Sequence, residues 1–140
     1  MPNASMLLEP TSFVENNSAV SSPIKRKSPP KGVVLFNDVE VKPKFKEENA
    51  VYEFRKFFRD EINYPIKAME NGAKGVVLAS YIVNERGMIE DIEVEVNADQ
   101  SLAKEVVRVL NKSSAWIPGK QNGKNVSVQC YIFTEFIIRK

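Results

Sequence analysis

The sequence predicts an α+β domain, a small and mainly antiparallel sheet of three to four strands with helices packed on one face. Three observations carry this reading. Apolar residues recur at helical spacing in two separate segments, a glycine-bounded run from Gly75 to Val96 alternates with period two, and a Pro-Gly corner leads into a long apolar strand at the end of the chain. With 140 residues and 43% hydrophobic content, the chain is large enough to bury one core and too short for two full domains. Residues 1–32 read as a flexible arm and residues 33–140 as the domain.

The arm is rich in Asn, Ser and Pro and lacks apolar periodicity, so it cannot bury enough surface to order itself. Its basic cluster, Lys25-Arg26-Lys27 between prolines, reads as extended, solvated linker, with an anionic-surface patch as the sharper alternative. Val33 to Phe36 is a short apolar run. Val39, Val41, Pro43 and Phe45 then alternate with charged residues, which suggests an extended segment at a sheet edge where Pro43 is tolerated.

Ala50, Phe54, Phe57, Phe58 and Ile62 share one helical face, and Asn63-Tyr64-Pro65 stops that helix. A short second helix starts at Ile66 behind Pro65 and ends at Gly72. Gly75 opens a hairpin whose first strand is apolar on both faces and therefore central, and Asn84-Glu85-Arg86-Gly87 makes its turn. The return strand places Ile92, Val94 and Val96 inward and Asp91, Glu93 and Glu95 outward. Asp99 or Ser101 caps a helix with a buried stripe of Leu102, Val106, Val109 and Leu110, margined by Ala103 and Val107. A structural corner of Trp116, Pro118, Gly119 and Gly123 follows, with the tryptophan as its anchor, the glycines free to take positive φ, and Lys120 and Lys124 left in solvent. The last strand, Val126 to Ile138, carries Val126, Val128, Cys130 and Ile132 on one face and Tyr131, Phe133 and Ile137 on the other.

Composition narrows the function classes. Histidine is absent and the net charge is +2, which removes histidine triads, imidazole metal ligands and any strong field for nucleic acid. Cys130 is a lone thiol inside an apolar alternation, so it reads as core. The acid pairs Glu90 with Asp91 and Glu93 with Glu95 alternate on a wet strand with no apolar cleft to tune them, so the chain is read as a non-enzyme without cofactor, metal or catalytic residues. No run of apolar residues reaches the roughly 20 needed to span a bilayer.

Tyr64-Pro65, the small-residue helix to Gly72, the hairpin with Gly87 in its turn, the amphipathic helix and Trp116-x-Pro118-Gly119-Lys120 before a closing strand together resemble the TonB C-terminal domain, most closely its Bacteroidetes branch. The pattern W-x-P-G-K-x-x-G-x-x-V is matched from Trp116 to Val126. The resemblance implies the periplasmic end of an energy transducer that binds the N-terminal box of TonB-dependent outer-membrane receptors by strand addition. It places the docking contacts at Ile62, Asn63, Tyr64 and Pro65 and along Val126, Ser127, Val128, Gln129, Cys130, Tyr131, Ile132 and Phe133, with Tyr64 giving a packing or hydroxyl contact. It also implies an inner-membrane anchor and contact with a proton-driven motor where an upstream helix exists, and a homodimer through the same edge is a further expectation. The alternative is a stand-alone periplasmic interaction or sensor module of the same fold.

Overall fold

The computed structural model describes residues 29–45, 50–96, 99–113 and 116–137. The arm assigned to residues 1–32 lies outside them except for its last four positions, as does Ile138. The elements run β1 (Val33–Leu35), β2 (Lys44–Phe45), α1 (Ala50–Glu61), α2 (Ile66–Glu70), β3 (Gly75–Val83), β4 (Ile89–Val96), α3 (Gln100–Lys112), β5 (Trp116–Ile117), β6 (Gly119–Gln121) and β7 (Lys124–Phe136). The main sheet is ordered β1-β7-β3-β4, with β6 paired to the start of β7, and β2 and β5 form a separate two-stranded ladder. The α+β reading holds, and among the described residues β1 supplies the one parallel pairing in the main sheet.

β3 is apolar on both faces and lies inside the sheet, between β4 and β7, pairing antiparallel with β7 from Gly75 opposite Phe136 to Val83 opposite Val128. The hairpin turn is fixed by Asn84, whose side-chain oxygen accepts from the N–H groups of Arg86 at 2.9 Å and Met88 at 3.0 Å while its amide donates to Glu90. Gly87 has φ +80°, and a Cβ there would stand 2.1 Å from the carbonyl oxygen of Trp116. No other residue fits. The β3–β4 register shifts between Ser80, opposite Glu93, and Ile82, opposite Glu90, and Asp91 on β4 takes φ 52°. That residue forms a β-bulge, so the adjacent acids Glu90 and Asp91 both face solvent while Ile89 and Ile92 on either side pack on the core.

The core lies between the sheet and the helices. Phe54 and Phe58 of α1, the Leu102, Ala103, Val106, Val109 and Leu110 stripe of α3, and Val77, Ala79, Tyr81, Val83, Val128, Cys130, Ile132 and Phe136 of the sheet form one buried cluster. Asp99 caps α3 by accepting from the Ser101 N–H at 2.8 Å. This hydrogen bond holds the Asp99 carboxyl below its ordinary range, as expected for a charged N-cap.

Candidate functional site

β7 alternates strictly. Val128, Cys130, Ile132, Thr134 and Phe136 are buried, and the residues between them are half-buried on the opposite face. Each residue in a strand directs its N–H and C=O to one side, and the next residue directs them to the other. The Gln129 carbonyl accepts from Phe36 N–H at 3.1 Å, on the β1 side. The main-chain groups of Ser127, Gln129, Phe133 and Glu135 therefore point away from β3, and those of Val128, Cys130, Ile132 and Thr134 point towards it.

That outward edge changes character along its length. β6 pairs with it from Lys124 to Val126, and β1 pairs with it from Ser127 to Gln129. From Ile132 to Phe136, no strand among the described residues lies on the side away from β3. Of the expected contact strand, Val126, Ser127, Val128 and Gln129 are thus already matched by the chain's own strands. The available ladder lies further on, towards Thr134, Glu135 and Phe136, in the later part of the strand expected as the docking edge. The signal was present in the continued alternation, but nothing in sequence shows which neighbour takes which half.

Of the segment from Ile62 to Pro65, Tyr64 packs against this end of β7. The Tyr64 ring meets Phe136 edge-on with centroids 5.4 Å apart, and its hydroxyl donates to the Ala73 carbonyl. Burial raises the pKa of this phenol above its ordinary value. Tyr64 and Ile62 are core residues, so the tyrosine hydroxyl is committed inside the domain, and only Asn63 is fully exposed while Pro65 is half-buried. Asn63 N–H donates to Glu105 Oε2 at 2.7 Å, and Arg108 holds both oxygens of Glu105 at 2.8 Å while reaching the Glu61 carbonyl at 2.8 Å. Partial burial of Glu105 opposes its ionisation, but the Arg108 and Asn63 donors overcome this and keep its carboxyl below the usual range. The turn between α1 and α2 is tied to α3 by this fork.

The corner is packed as expected, with one change. Trp116 is buried against Phe45 at 5.2 Å, Phe54 at 4.8 Å and Tyr81 at 6.2 Å, and its indole N–H donates to Ser113 Oγ at 3.1 Å. Gly119 does not have positive φ. It is required by close approach, since a Cβ would stand 2.7 Å from Val128 Cγ2 and 2.9 Å from the Val41 carbonyl oxygen. Asn122 and Gly123 have φ 53° and 78°, the pair of left-handed residues that a tight two-residue hairpin turn demands.

The family profile described as the Gram-negative bacterial TonB protein C-terminal matches residues 60–138. The chain belongs to the TonB C-terminal domain family. The match is to the family as a whole and singles out no bacterial branch. Among solved structures, the chain is similar to the Helicobacter pylori TonB C-terminal domain at 18% identity and TM-score 0.50, covering 64% of this chain and 81% of that one. It is also similar to the Pseudomonas aeruginosa TonB C-terminal domain at 24% identity and TM-score 0.49, covering 76% of this chain and 94% of that one. Identities this low speak to fold alone. A comparison with curated proteins gives no significant match.

In this TonB C-terminal domain, Cys130 is fully buried and burial pushes its thiol far above the ordinary range, so it is inert at neutral pH. Among the described residues, no group of three or more His, Cys, Asp or Glu is arranged to hold a metal ion. No described helix is long and apolar enough to cross a membrane.

Proposed function

We propose that this domain is the periplasmic docking end of a TonB-like energy transducer, and that it takes the N-terminal box of an outer-membrane TonB-dependent receptor as an added strand. The stretch from Ile132 to Phe136 on the side away from β3 carries this reading. Its main-chain groups at Phe133 and Glu135 form a regular ladder, and strand addition reads a backbone rather than one set of side chains. One domain can then serve receptors whose boxes differ in sequence. Family membership supports the partner class, and Asn63 and Pro65 flank Tyr64, whose ring packs on Phe136 at the same end of β7. Force enters such a docked strand from the inner membrane only where an upstream anchor meets a proton-driven motor. A stand-alone interaction module would use the same edge without load, and a second copy of the chain is a competing occupant.

Cysteine cross-linking tests the assignment, because the buried Cys130 does not compete. With a receptor box peptide carrying one cysteine, Phe133→Cys or Glu135→Cys should form a disulfide, and Glu93→Cys on β4 should not. Cross-links at Glu93→Cys alone would overturn the assignment. Efficient formation of Glu135→Cys dimers that the peptide cannot suppress would favour the second copy.

A further inference from the structure

We propose that β1 is an intramolecular occupant of the docking edge, which a sufficiently long partner strand must displace. The proposal rests on the docking reading above and adds how that edge is regulated. β1 pairs in parallel with Ser127, Val128 and Gln129, directly in line with the stretch left to a partner. It is three residues long, and all three are half-buried. Turns close it at both ends. Val33 N–H donates to the Pro30 carbonyl at 3.0 Å, and the Leu35 carbonyl accepts from Asp38 N–H at 2.9 Å and Val39 N–H at 3.1 Å.

Those turn bonds use groups of β1 that face away from β7. A partner strand therefore finds no regular ladder on the outside of β1 and cannot simply be added there. It must stop near Gln129 or take the place of β1.

Displacement is a peel rather than an unfolding. Downstream of β1 the chain is pinned by buried Val39 and by the paired bonds of Val41 with Lys120, at 3.0 and 2.9 Å. Glu40 adds two ties, donating its N–H to Gln121 Oε1 at 2.9 Å and accepting from Asn122 N–H at 2.6 Å. The turn after Phe36 is then a hinge, and the three residues of β1 leave together with the Phe36 N–H bond to Gln129. Such a short, half-exposed ladder belongs to the low-stability end of a fold, where local opening is cheap. The edge thus discriminates by length. A partner of about five extended residues seats on Ile132–Phe136 without disturbing β1, and one of about ten competes with it.

Two measurements on the full chain test this. In native-state hydrogen exchange, the Phe36 and Gln129 amides should exchange together, about 100-fold faster than Cys130, whose amide faces β3. Exchange at the same rate as Cys130 would make β1 a permanent strand and overturn the proposal. The second measurement titrates a capped ten-residue Val/Thr peptide with terminal lysines, and its five-residue half, into the parent and a Val33→Gly/Leu35→Gly variant. That variant weakens β1 and spares Val34 and Phe36, which pack on the core. The long peptide should bind the variant about tenfold more tightly than the parent, and the short one equally to both. Equal binding of the long peptide overturns the competition and leaves the docking reading intact. Binding of neither peptide to either protein overturns the docking reading, and the competition with it.

Discussion

The two strands that flank β3 present opposite solutions to the same hazard. β4 carries Glu90, Asp91, Glu93 and Glu95, and its ladder is broken by a bulge at Asp91. These are devices by which a natural edge refuses another strand. The last part of β7 has neither. Its register with β3 is unbroken from Gly75 to Val83, and its only charge past Gln129 is Glu135. An edge defended at one side of a sheet and left regular at the other points to the regular one as the side that receives a partner.

The largest effect that would break this comparison comes from proline. Ile132→Pro removes a donor aimed at β3 and should cost about 3 kcal/mol or more, read from urea unfolding, whereas Phe133→Pro removes a donor aimed away from it and should cost only about 1 kcal/mol. The same logic makes Cys130→Pro a test of the sheet and not of the edge. Equal losses for Ile132→Pro and Phe133→Pro would mean that the outward groups are not outward. Next in size is Trp116→Ala, expected to cost roughly 3–5 kcal/mol because the ring fills the space between Phe45, Phe54 and Tyr81. It lies under β3 and should weaken both edges alike.

A smaller change sharpens the view of the regular half. The buried Thr134 Oγ1 has no hydrogen-bond partner, so Thr134→Val should stabilise the domain by about 1 kcal/mol in a thermal or urea melt. No gain would mean that the hydroxyl is satisfied in solution. The smallest effect is that of pH. Glu105 ionises more readily folded than unfolded, so its contribution is present above the unfolded carboxylate pKa and is lost as pH falls through the lower folded value. Stability should therefore decline in acid below about pH 4.5, and Glu105→Gln should flatten part of that decline. An unchanged pH profile would show that the fork with Arg108 and Asn63 adds nothing.

Much of this was legible in sequence because it follows from local periodicity. The α3 stripe, the cap at Asp99, the turn at Gly87, the two-sided β3 and the tryptophan anchor each depend on residues near one another in the chain. What sequence hides is pairing at a distance. From Val33 to Phe36 the sequence shows only a short apolar run, and the folded chain alone shows that it lies on Ser127–Gln129 and shifts the available edge towards Phe136. Tyr64 likewise reads equally well as a helix stop or a partner contact, and only the folded chain shows its ring packed on Phe136 and its hydroxyl donating to the Ala73 carbonyl. The bulge at Asp91, by contrast, leaves a mark in sequence, since Ile89 and Ile92 both pack on the core with the exposed pair Glu90-Asp91 between them, an odd spacing that a regular strand does not give.

The most direct measurement is amide chemical-shift mapping of the full chain with a receptor box peptide. The account predicts that shifts concentrate at Phe133 and Glu135, with smaller changes at Asn63 and no change from Glu90 to Glu95. Shifts concentrated along Glu90 to Glu95, with Phe133 and Glu135 unmoved, would contradict it.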